Sequence, residues 1–260
     1  MFVLGMHRSQ TSLVTGLIRM MGAYVGPLGR QIPASPDNRK GYFERWDVIA
    51  INDALLSAHG CSWNDVASWP MHAPTATGDS VTGQIRRLVS EMDRHCPWVI
   101  KDPRLCLTFP HWRPHLPAVL PIVVSRDPRH VAWSLVSRDG VTFEHALALW
   151  EFYVVSLMNA LGNVDRVCVR AEEALTCPLV FVRELHNRLT RAGIQGLHLP
   201  KDGDVKEFVD ASLVHALPLE DGSPLDTRHL WLRAALQNER GTNGANVSAE
   251  AMSILHRGSV

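Results

Sequence analysis

The chain begins with a short polar turn whose residue types suit the binding of an anion. The turn, residues 5–12, contains one histidine, one arginine and three hydroxyl side chains. It follows the apolar residues 2–4 and precedes apolar residues at helical spacing up to Met21, a pattern that predicts a strand, a turn and a helix. Such a turn directs backbone N–H groups and the positive helix end at one point. This segment therefore predicts a site for a phosphate or a sulfate group.

Two further polar clusters come directly after predicted strands. Lys101 and Asp102 follow the apolar residues 98–100, and Arg126 follows residues 121–125. The carboxyl ends of parallel strands meet at one edge of a sheet, so we expect the three clusters to converge there. A single cluster would be explained equally well by arginines paired with Asp102, Asp127 or Glu44. Three clusters that each follow a predicted strand favour a polyanionic ligand. The cations that would hold it are drawn from Arg8, Lys101, Arg104, Arg126 and Arg129.

Composition narrows the class of protein. The 260 residues suffice for one large domain, and 46% of them are apolar. Lys and Arg together number 26, as do Asp and Glu, and this balance argues against nucleic-acid or anionic-membrane partners. Five dispersed cysteines without a CxxC pair argue against a zinc site or a disulfide framework and suit a reducing, cytoplasmic location. No apolar run approaches membrane-spanning length.

Strands and helices alternate along the chain, which predicts an α/β fold: a P-loop-like parallel sheet flanked by helices. Strands are predicted at residues 2–4, 98–100, 121–125 and 164–170. Helices are predicted at residues 47–59, 80–94 with Ser80 as N-cap, 143–161, 178–191 and 227–236, with another that starts at Pro128 behind the N-cap Asp127. Residues 1–200 form the α/β domain and residues 201–260 a helical and loop extension of it. The tail from residue 243 is expected to be poorly ordered.

The first turn departs from the nucleotide P-loop pattern G-x-x-x-x-G-K-[ST]. Gly5 and Ser12 fit its outer positions, whereas Gln10 stands in place of the second glycine and Thr11 in place of the lysine. That lysine neutralises the β- and γ-phosphates of a nucleoside triphosphate. Its absence argues against ordinary ATP or GTP hydrolysis.

Residues 5–12 (GMHRSQTS) resemble the phosphosulfate loop of the sulfotransferases that use 3′-phosphoadenosine-5′-phosphosulfate (PAPS). Residues 123–134 (VVSRDPRHVAWS) resemble the second signature of that family, and residues 41–44 (GYFE) and 101–104 (KDPR) resemble segments of its bacterial members. The resemblance covers roughly residues 1–192. It implies PAPS as co-substrate without a metal, with Arg126 and Ser134 on the 3′-phosphate. The donor loop it implies consists of His7, Arg8, Ser9, Gln10, Thr11 and Ser12.

Three departures from the family pattern stand out. Gln10 replaces the loop glycine, so a positive φ there would cost about 1–2 kcal/mol and add a side chain facing the donor. Ala171 replaces a tyrosine of a third family segment. The family's C-terminal Arg-Lys-Gly segment has only a weak counterpart in Arg240 and Gly241.

The resemblance also implies catalytic roles. Arg8 would neutralise the leaving phosphate, and Lys101 would contact the sulfuryl oxygens, although a strand-end surface lysine explains Lys101 equally well. Many family members carry a histidine base where this chain has Pro103, which leaves Glu44 and Asp102 as candidates. Glu44 follows an aromatic pair that would raise its pKa, and we expect it to face the transferred group from the side opposite Lys101. Asp102 more simply orients Lys101 or Arg8.

The expected reaction is transfer of a sulfuryl group from PAPS to a hydroxyl of a small-molecule or carbohydrate acceptor. Five tryptophans fall in segments that would face the acceptor, although core packing explains most of them; they are Trp46, Trp63, Trp69, Trp98 and Trp112. Two alternatives stay open, a P-loop kinase-like phosphotransferase and a non-catalytic nucleotide-binding protein. The sequence specifies neither the acceptor nor an oligomeric state.

Overall fold

The computed structural model describes residues 1–35, 38–71, 78–209, 225–239 and 245–258, and within them the chain folds around one parallel sheet. Its four strands are β1 (Phe2–Leu4), β2 (Ile100–Lys101), β3 (Pro121–Ser125) and β4 (Val167–Arg170). They are ordered β2-β1-β3-β4, and every pair is parallel. Val3 pairs with Lys101 on one side and with Ile122 on the other, so the turns after β1, β2 and β3 leave from the same edge.

Helices cover both faces of this sheet, which confirms the predicted α/β class. In the first half of the described chain they are α1 (Thr11–Met20), α2 (Trp46–Ser57), α3 (Asp79–Met92), α4 (Leu105–Trp112) and α5 (Pro128–Asp139). In the second half they are α6 (Phe143–Leu161), α7 (Ala171–Thr176), α8 (Pro178–Arg191), α9 (Asp202–Phe208), α10 (Thr227–Ala235) and α11 (Ala249–Gly258). No helix in these described segments has both the length and the apolar character needed to cross a bilayer.

Capping chemistry explains where the predicted helices begin and end. The Asp127 carboxylate accepts a hydrogen bond from the Arg129 backbone N–H over 2.9 Å, and Pro128 occupies the first turn of α5, as predicted. Gly162 ends α6 with a φ of 50°. The N-cap prediction for α3 was wrong: Gly78 precedes the helix, and Ser80 lies inside its first turn.

Other differences arise where long-range packing decides the structure. Strand β2 begins at Ile100, and β4 begins at Val167, so both predicted strands were displaced or too long. The tail, predicted to be poorly ordered, contains α11, in which Ala251 and Leu255 are buried against the core. The buried Glu151 of α6 accepts hydrogen bonds from the backbone and hydroxyl of Ser248 just before that helix. Helices α4, α7 and α9 were not predicted.

Two apolar cores lie on the two faces of the sheet and hold the strand ends in place. Because side chains alternate along a strand, Phe2 and Leu4 enter one core while Val3 enters the other. The first core is built on α4 and α6, where Phe109 packs edge-on against Phe2 with 5.7 Å between ring centres. The second is built on α1 and α8. The strands are therefore buried on both faces, so a ligand is expected beyond their carboxyl ends.

Candidate functional site

A cavity of about 400 Å³ opens at the carboxyl edge of the sheet. It is bounded by the turns that follow β1, β2 and β3, by the end of α5, and by residues 38–45, which we call the strap. Most of the residues predicted for the site line this cavity: His7, Arg8, Gln10, Thr11, Ser12, Glu44, Lys101, Arg126 and Ser134. Ser9 and Asp102 are buried and do not line it. The three clusters thus converge as expected.

The turn after β1 has a strained backbone. Arg8 has a φ of 66° and Gln10 a φ of 63°, values in the left-handed region that non-glycine residues adopt at a cost. Gln10 precedes α1 directly, yet its side chain gives the helix no capping hydrogen bond, and no acidic residue stands in the first turn. The first backbone N–H groups of a helix have no acceptor within it. These groups of α1 are therefore available to an anion.

Arg8, Ser134 and Arg126 form a connected group in the wall of the cavity. The Arg8 Nε donates to the Ser134 hydroxyl over 2.7 Å, and the Arg126 guanidinium donates to the Arg8 carbonyl oxygen over 2.7 Å. Burial lowers the pKa of Arg126 to about 10, against the opposing influence of Glu172, so it remains a cation at neutral pH. Helix α5 supplies Ser134 two turns after the strand end that carries Arg126, the spacing read from the sequence.

Lys101, at the end of β2, forms hydrogen bonds with the turn after β1 and with the strap. Its ammonium donates to the Ser12 hydroxyl over 3.0 Å, to the Tyr42 carbonyl oxygen over 3.1 Å and to the Glu44 carboxylate. The Ser12 hydroxyl itself donates to the Tyr42 carbonyl over 3.2 Å. Since the Lys101 side chain is almost fully buried, the charge sits beside the N-terminus of α1 rather than at the protein surface. This is not the position of a strand-end surface lysine.

Glu44 and Lys101 form an ion pair with each other, so the expectation that they face the site from opposite sides was wrong. Burial raises the pKa of Glu44, the Lys101 charge opposes that rise, and the charge of Asp102 adds to it. Glu44 therefore combines a raised pKa with contact to the cavity. A carboxylate with these two properties is suited to accept a proton from a ligand in the cavity.

Asp102 stabilises the turn after β2. Its carboxylate accepts from the Arg104 backbone N–H over 2.8 Å and from the Arg104 guanidinium over 3.2 Å. Neither Lys101 nor Arg8 is its hydrogen-bond partner, contrary to the expectation from the sequence. Arg104 also pairs with Asp53 on α2, over 2.6 Å. Asp102 thus fixes the loop after β2, and Arg104, rather than Asp102, lines the cavity.

His7 and Trp63 form another part of the cavity wall. Their ring centres are 4.6 Å apart, and Tyr153, whose hydroxyl donates to the Trp63 carbonyl over 2.6 Å, lies 5.9 Å from the His7 ring. Burial, followed by the nearby Arg104, holds the pKa of His7 well below its usual value, so the imidazole is neutral. The His7 Nε2 is buried without a hydrogen-bond partner among the described residues.

Of the five tryptophans expected near the acceptor, Trp63 lines the cavity. Trp69, Trp98 and Trp112 are buried in the core, and Trp46 is exposed at the start of α2. The sequence did not single out Arg138, which lies over the Trp63 ring with 5.1 Å between its guanidinium carbon and the ring centre. Arg138 lies in the last turn of α5, one turn beyond Ser134, and this spacing could have indicated from the sequence that it lies near the site.

Arg129 differs in its role from the sequence expectation. Arg129 pairs with Asp127 over 2.9 Å and does not line the cavity. Arg233 of α10 contacts the same Asp127 over 3.0 Å, and so links the C-terminal extension to the turn after β3.

Arg240 and Gly241 lie outside the described residues. Among the residues that are described, no cluster of His, Cys, Asp and Glu is arranged to hold a metal ion.

No protein-family model and no curated protein matches the chain. Two solved structures similar to it are the sulfotransferase domain from the olefin synthase of Synechococcus PCC 7002 and the sulfotransferase domain from the curacin biosynthetic pathway. Each is 14% identical to the chain with a TM-score of 0.45. The first match covers 100% of this chain and 94% of that one, and the second 99% and 96%.

Proposed function

We propose that this protein is a PAPS-dependent sulfotransferase that transfers a sulfuryl group to a hydroxyl of a small-molecule or carbohydrate acceptor. The observation that carries the proposal is the connected group of Arg126, Arg8 and Ser134 in the same cavity as the Lys101–Glu44 pair. The first group has side chains suited to a second phosphate group, and the pair offers a cation and a carboxylate for group transfer.

The donor-binding residues fit an anion with two charged ends. Arg126 and Ser134 would bind the 3′-phosphate, while Arg8 and the first N–H groups of α1 would bind the phosphosulfate. The Gln10 Oε1 is buried and has no hydrogen-bond partner among the described residues, although Gln10 lines the cavity. A buried orphan acceptor costs about 1–3 kcal/mol. Removing the amide would relieve that cost.

Sulfuryl transfer makes the same demands as phosphoryl transfer: alignment of the reacting oxygens, neutralisation of the leaving group and removal of the acceptor proton. Lys101 supplies positive charge next to the N-terminus of α1, where the transferred group would lie. Glu44 would accept the acceptor's proton as a carboxylate. Lys101 orients that carboxylate through their shared hydrogen bond.

Calorimetry with three nucleotides tests the proposal. Adenosine 3′,5′-bisphosphate is expected to bind at least about tenfold more tightly than ADP, since a charge-assisted contact to the 3′-phosphate contributes about 1.5–3 kcal/mol. Equal affinity for ADP, or a preference for ATP, would favour the kinase-like alternative. Tight binding of the bisphosphate without turnover of PAPS on any hydroxyl acceptor would favour the non-catalytic alternative.

A further inference from the structure

Arg45 is the residue next to Glu44, and the two side chains leave the strap in opposite directions. Arg45 has an extended backbone, with φ −98° and ψ 136°, and consecutive side chains of extended backbone point to opposite sides. Glu44 turns into the cavity and contacts Lys101. Arg45 turns away from the cavity, towards α2 and α3. The strap is therefore contacted on one side through Lys101 and on the other through Asp47 and Glu91.

The guanidinium of Arg45 is held on several sides. Its Nε and one terminal nitrogen bind the two carboxylate oxygens of Asp47 over 2.9 and 2.7 Å, and the same terminal nitrogen reaches Glu91 over 3.1 Å. The other terminal nitrogen contacts the sulfur of Met92 over 2.9 Å. Asp47 in turn accepts from the backbone N–H of Val48 in the first turn of α2. The side chain, 2% exposed, thus ties the strap to the beginning of α2 and the end of α3.

The segment that precedes the strap also packs against the Arg45 side chain. A Cβ at Gly26, where φ is 96°, would lie 2.8 Å from Cδ of Arg45, so only glycine allows the approach. Gln31 pairs with Arg45 through a backbone bridge, and its amide donates to the Gly26 carbonyl over 3.1 Å. The strap itself needs such an anchor because Phe43 holds a φ of 56°, which is costly for a non-glycine residue.

We propose that Arg45 is a positioning residue for Glu44: its bidentate contact with Asp47 fixes the strap so that the Glu44 carboxylate stays buried against Lys101. The consequence for turnover rests on the proposed function, whereas the position of Glu44 does not. A lysine at position 45 would keep the charge but lose the planar fork that contacts both oxygens of Asp47. Arg45 does not line the cavity, so donor binding should be largely independent of it.

Arg30 provides a matched control. Its guanidinium contacts the same two carboxylates, Asp47 over 3.3 Å and Glu91 over 3.1 Å, but its side chain is 56% exposed. An exposed pair contributes little to stability or position. Arg30→Gln therefore removes a cation from the network without removing the buried anchor.

The experiment follows the titration of Glu44 by NMR of isotope-labelled glutamate carboxyls, with Glu44→Gln used to assign the signal. The charged groups that face Glu44 are Lys101, Asp102 and Arg104, and they are unchanged in every variant. In Arg45→Lys, water reaches the loosened strap, so the pKa of Glu44 should fall towards its ordinary value. Arg30→Gln should titrate like the wild type. Under the proposed function, kcat of Arg45→Lys should also fall about ten- to hundredfold at nearly unchanged affinity for adenosine 3′,5′-bisphosphate.

A folded Arg45→Lys protein in which Glu44 titrates as in the wild type would overturn the proposal, as would an equal shift in Arg30→Gln. If Arg45→Lys does not fold, Asp47→Asn takes its place, because Asp47 is one-third exposed and Arg45 keeps Glu91 as a partner. A shift in the same direction supports the proposal, and no shift overturns it. If the wild type binds no bisphosphate, the proposed function fails, while the NMR result still decides the role of Arg45.

Discussion

The guanidinium of Arg126 donates a hydrogen bond to the carbonyl oxygen of Arg8, over 2.7 Å. The two residues lie 118 positions apart, one after β3 and the other after β1. Arg8 has a positive φ, and its side chain reaches Ser134 on α5. The turn after β3 thus supports the strained turn after β1, and the two predicted phosphate motifs form one unit rather than two adjacent sites.

This unit predicts a selective loss of affinity in Arg126→Lys. A lysine lacks the fork that would contact both the Arg8 carbonyl and a phosphate, so affinity for adenosine 3′,5′-bisphosphate should fall about tenfold or more in calorimetry. Affinity for ADP, which lacks the 3′-phosphate, should change less. Arg129→Lys is the control, because Arg129 pairs with Asp127 away from the cavity. Similar losses for both nucleotides in Arg126→Lys would show that the residue supports only the loop.

Gln10→Gly should relieve backbone strain. At a φ of 63° a non-glycine residue costs about 1–2 kcal/mol, part of which is offset by the greater freedom of glycine in the unfolded chain. We expect a net gain of up to about 1 kcal/mol in the free energy of unfolding, measured by urea denaturation, with donor affinity unchanged or higher. Gln10→Ala keeps the Cβ but removes the amide. A large loss of affinity in both variants would mean that the amide contacts the donor.

Glu44→Gln should abolish most turnover, by about 10²–10⁴-fold, while the affinity for adenosine 3′,5′-bisphosphate persists. Burial raises the pKa of Glu44, and the active form is the carboxylate, so wild-type kcat should rise as pH rises through that pKa. The residual rate of Glu44→Gln should lack this limb of the pH profile. Near-full activity in Glu44→Gln, together with a folded but inactive Asp102→Asn, would assign the base to Asp102.

Lys101→Met should destabilise the protein because it leaves Glu44 buried without its counter-charge. Breaking one side of a buried pair costs about 3–5 kcal/mol. Without Lys101 the pKa of Glu44 rises further above its unfolded value. The folded state then binds the proton more tightly, so stability is retained at low pH and lost as pH rises through the folded pKa. The double variant Lys101→Met/Glu44→Gln should recover part of the loss in urea denaturation. A single variant as stable as the wild type at pH 8 would contradict the buried pair.

Chelation should leave turnover unchanged. Arg8, Lys101 and Arg126 supply positive charge where a phosphotransferase would use a metal ion. Turnover of PAPS in EDTA should match turnover in added Mg²⁺, and apparent affinity for the bisphosphate should be equal in both. Activity that disappears in EDTA and returns with Mg²⁺ would favour the kinase-like alternative.

Local sequence patterns predicted much of the fold. The alternation of apolar runs and amphipathic segments predicted β1 and β3 with their observed bounds and β2 and β4 in part. Asp127, Pro128 and Gly162 marked helix ends because capping depends on neighbouring residues. Helix α4 was missed because Pro110 lies inside its short apolar sequence. Helix α11 was missed because its burial depends on contacts with α6, and the hydrogen bond from Ser248 to Glu151 that supports them spans 97 residues.

For the site, the sequence by itself determined the chemistry available at the strand ends: an arginine and hydroxyls after β1, a lysine after β2 and an arginine after β3. Their convergence follows from parallel pairing, which aligns the ends of the strands. Only the tertiary structure decided which of these groups contact each other. Lys101 pairs with Glu44, 57 residues away, Asp102 turns to Arg104, and Arg45 anchors the strap on α2 and α3. Such pairings depend on how distant elements pack, and no local spacing encodes that packing.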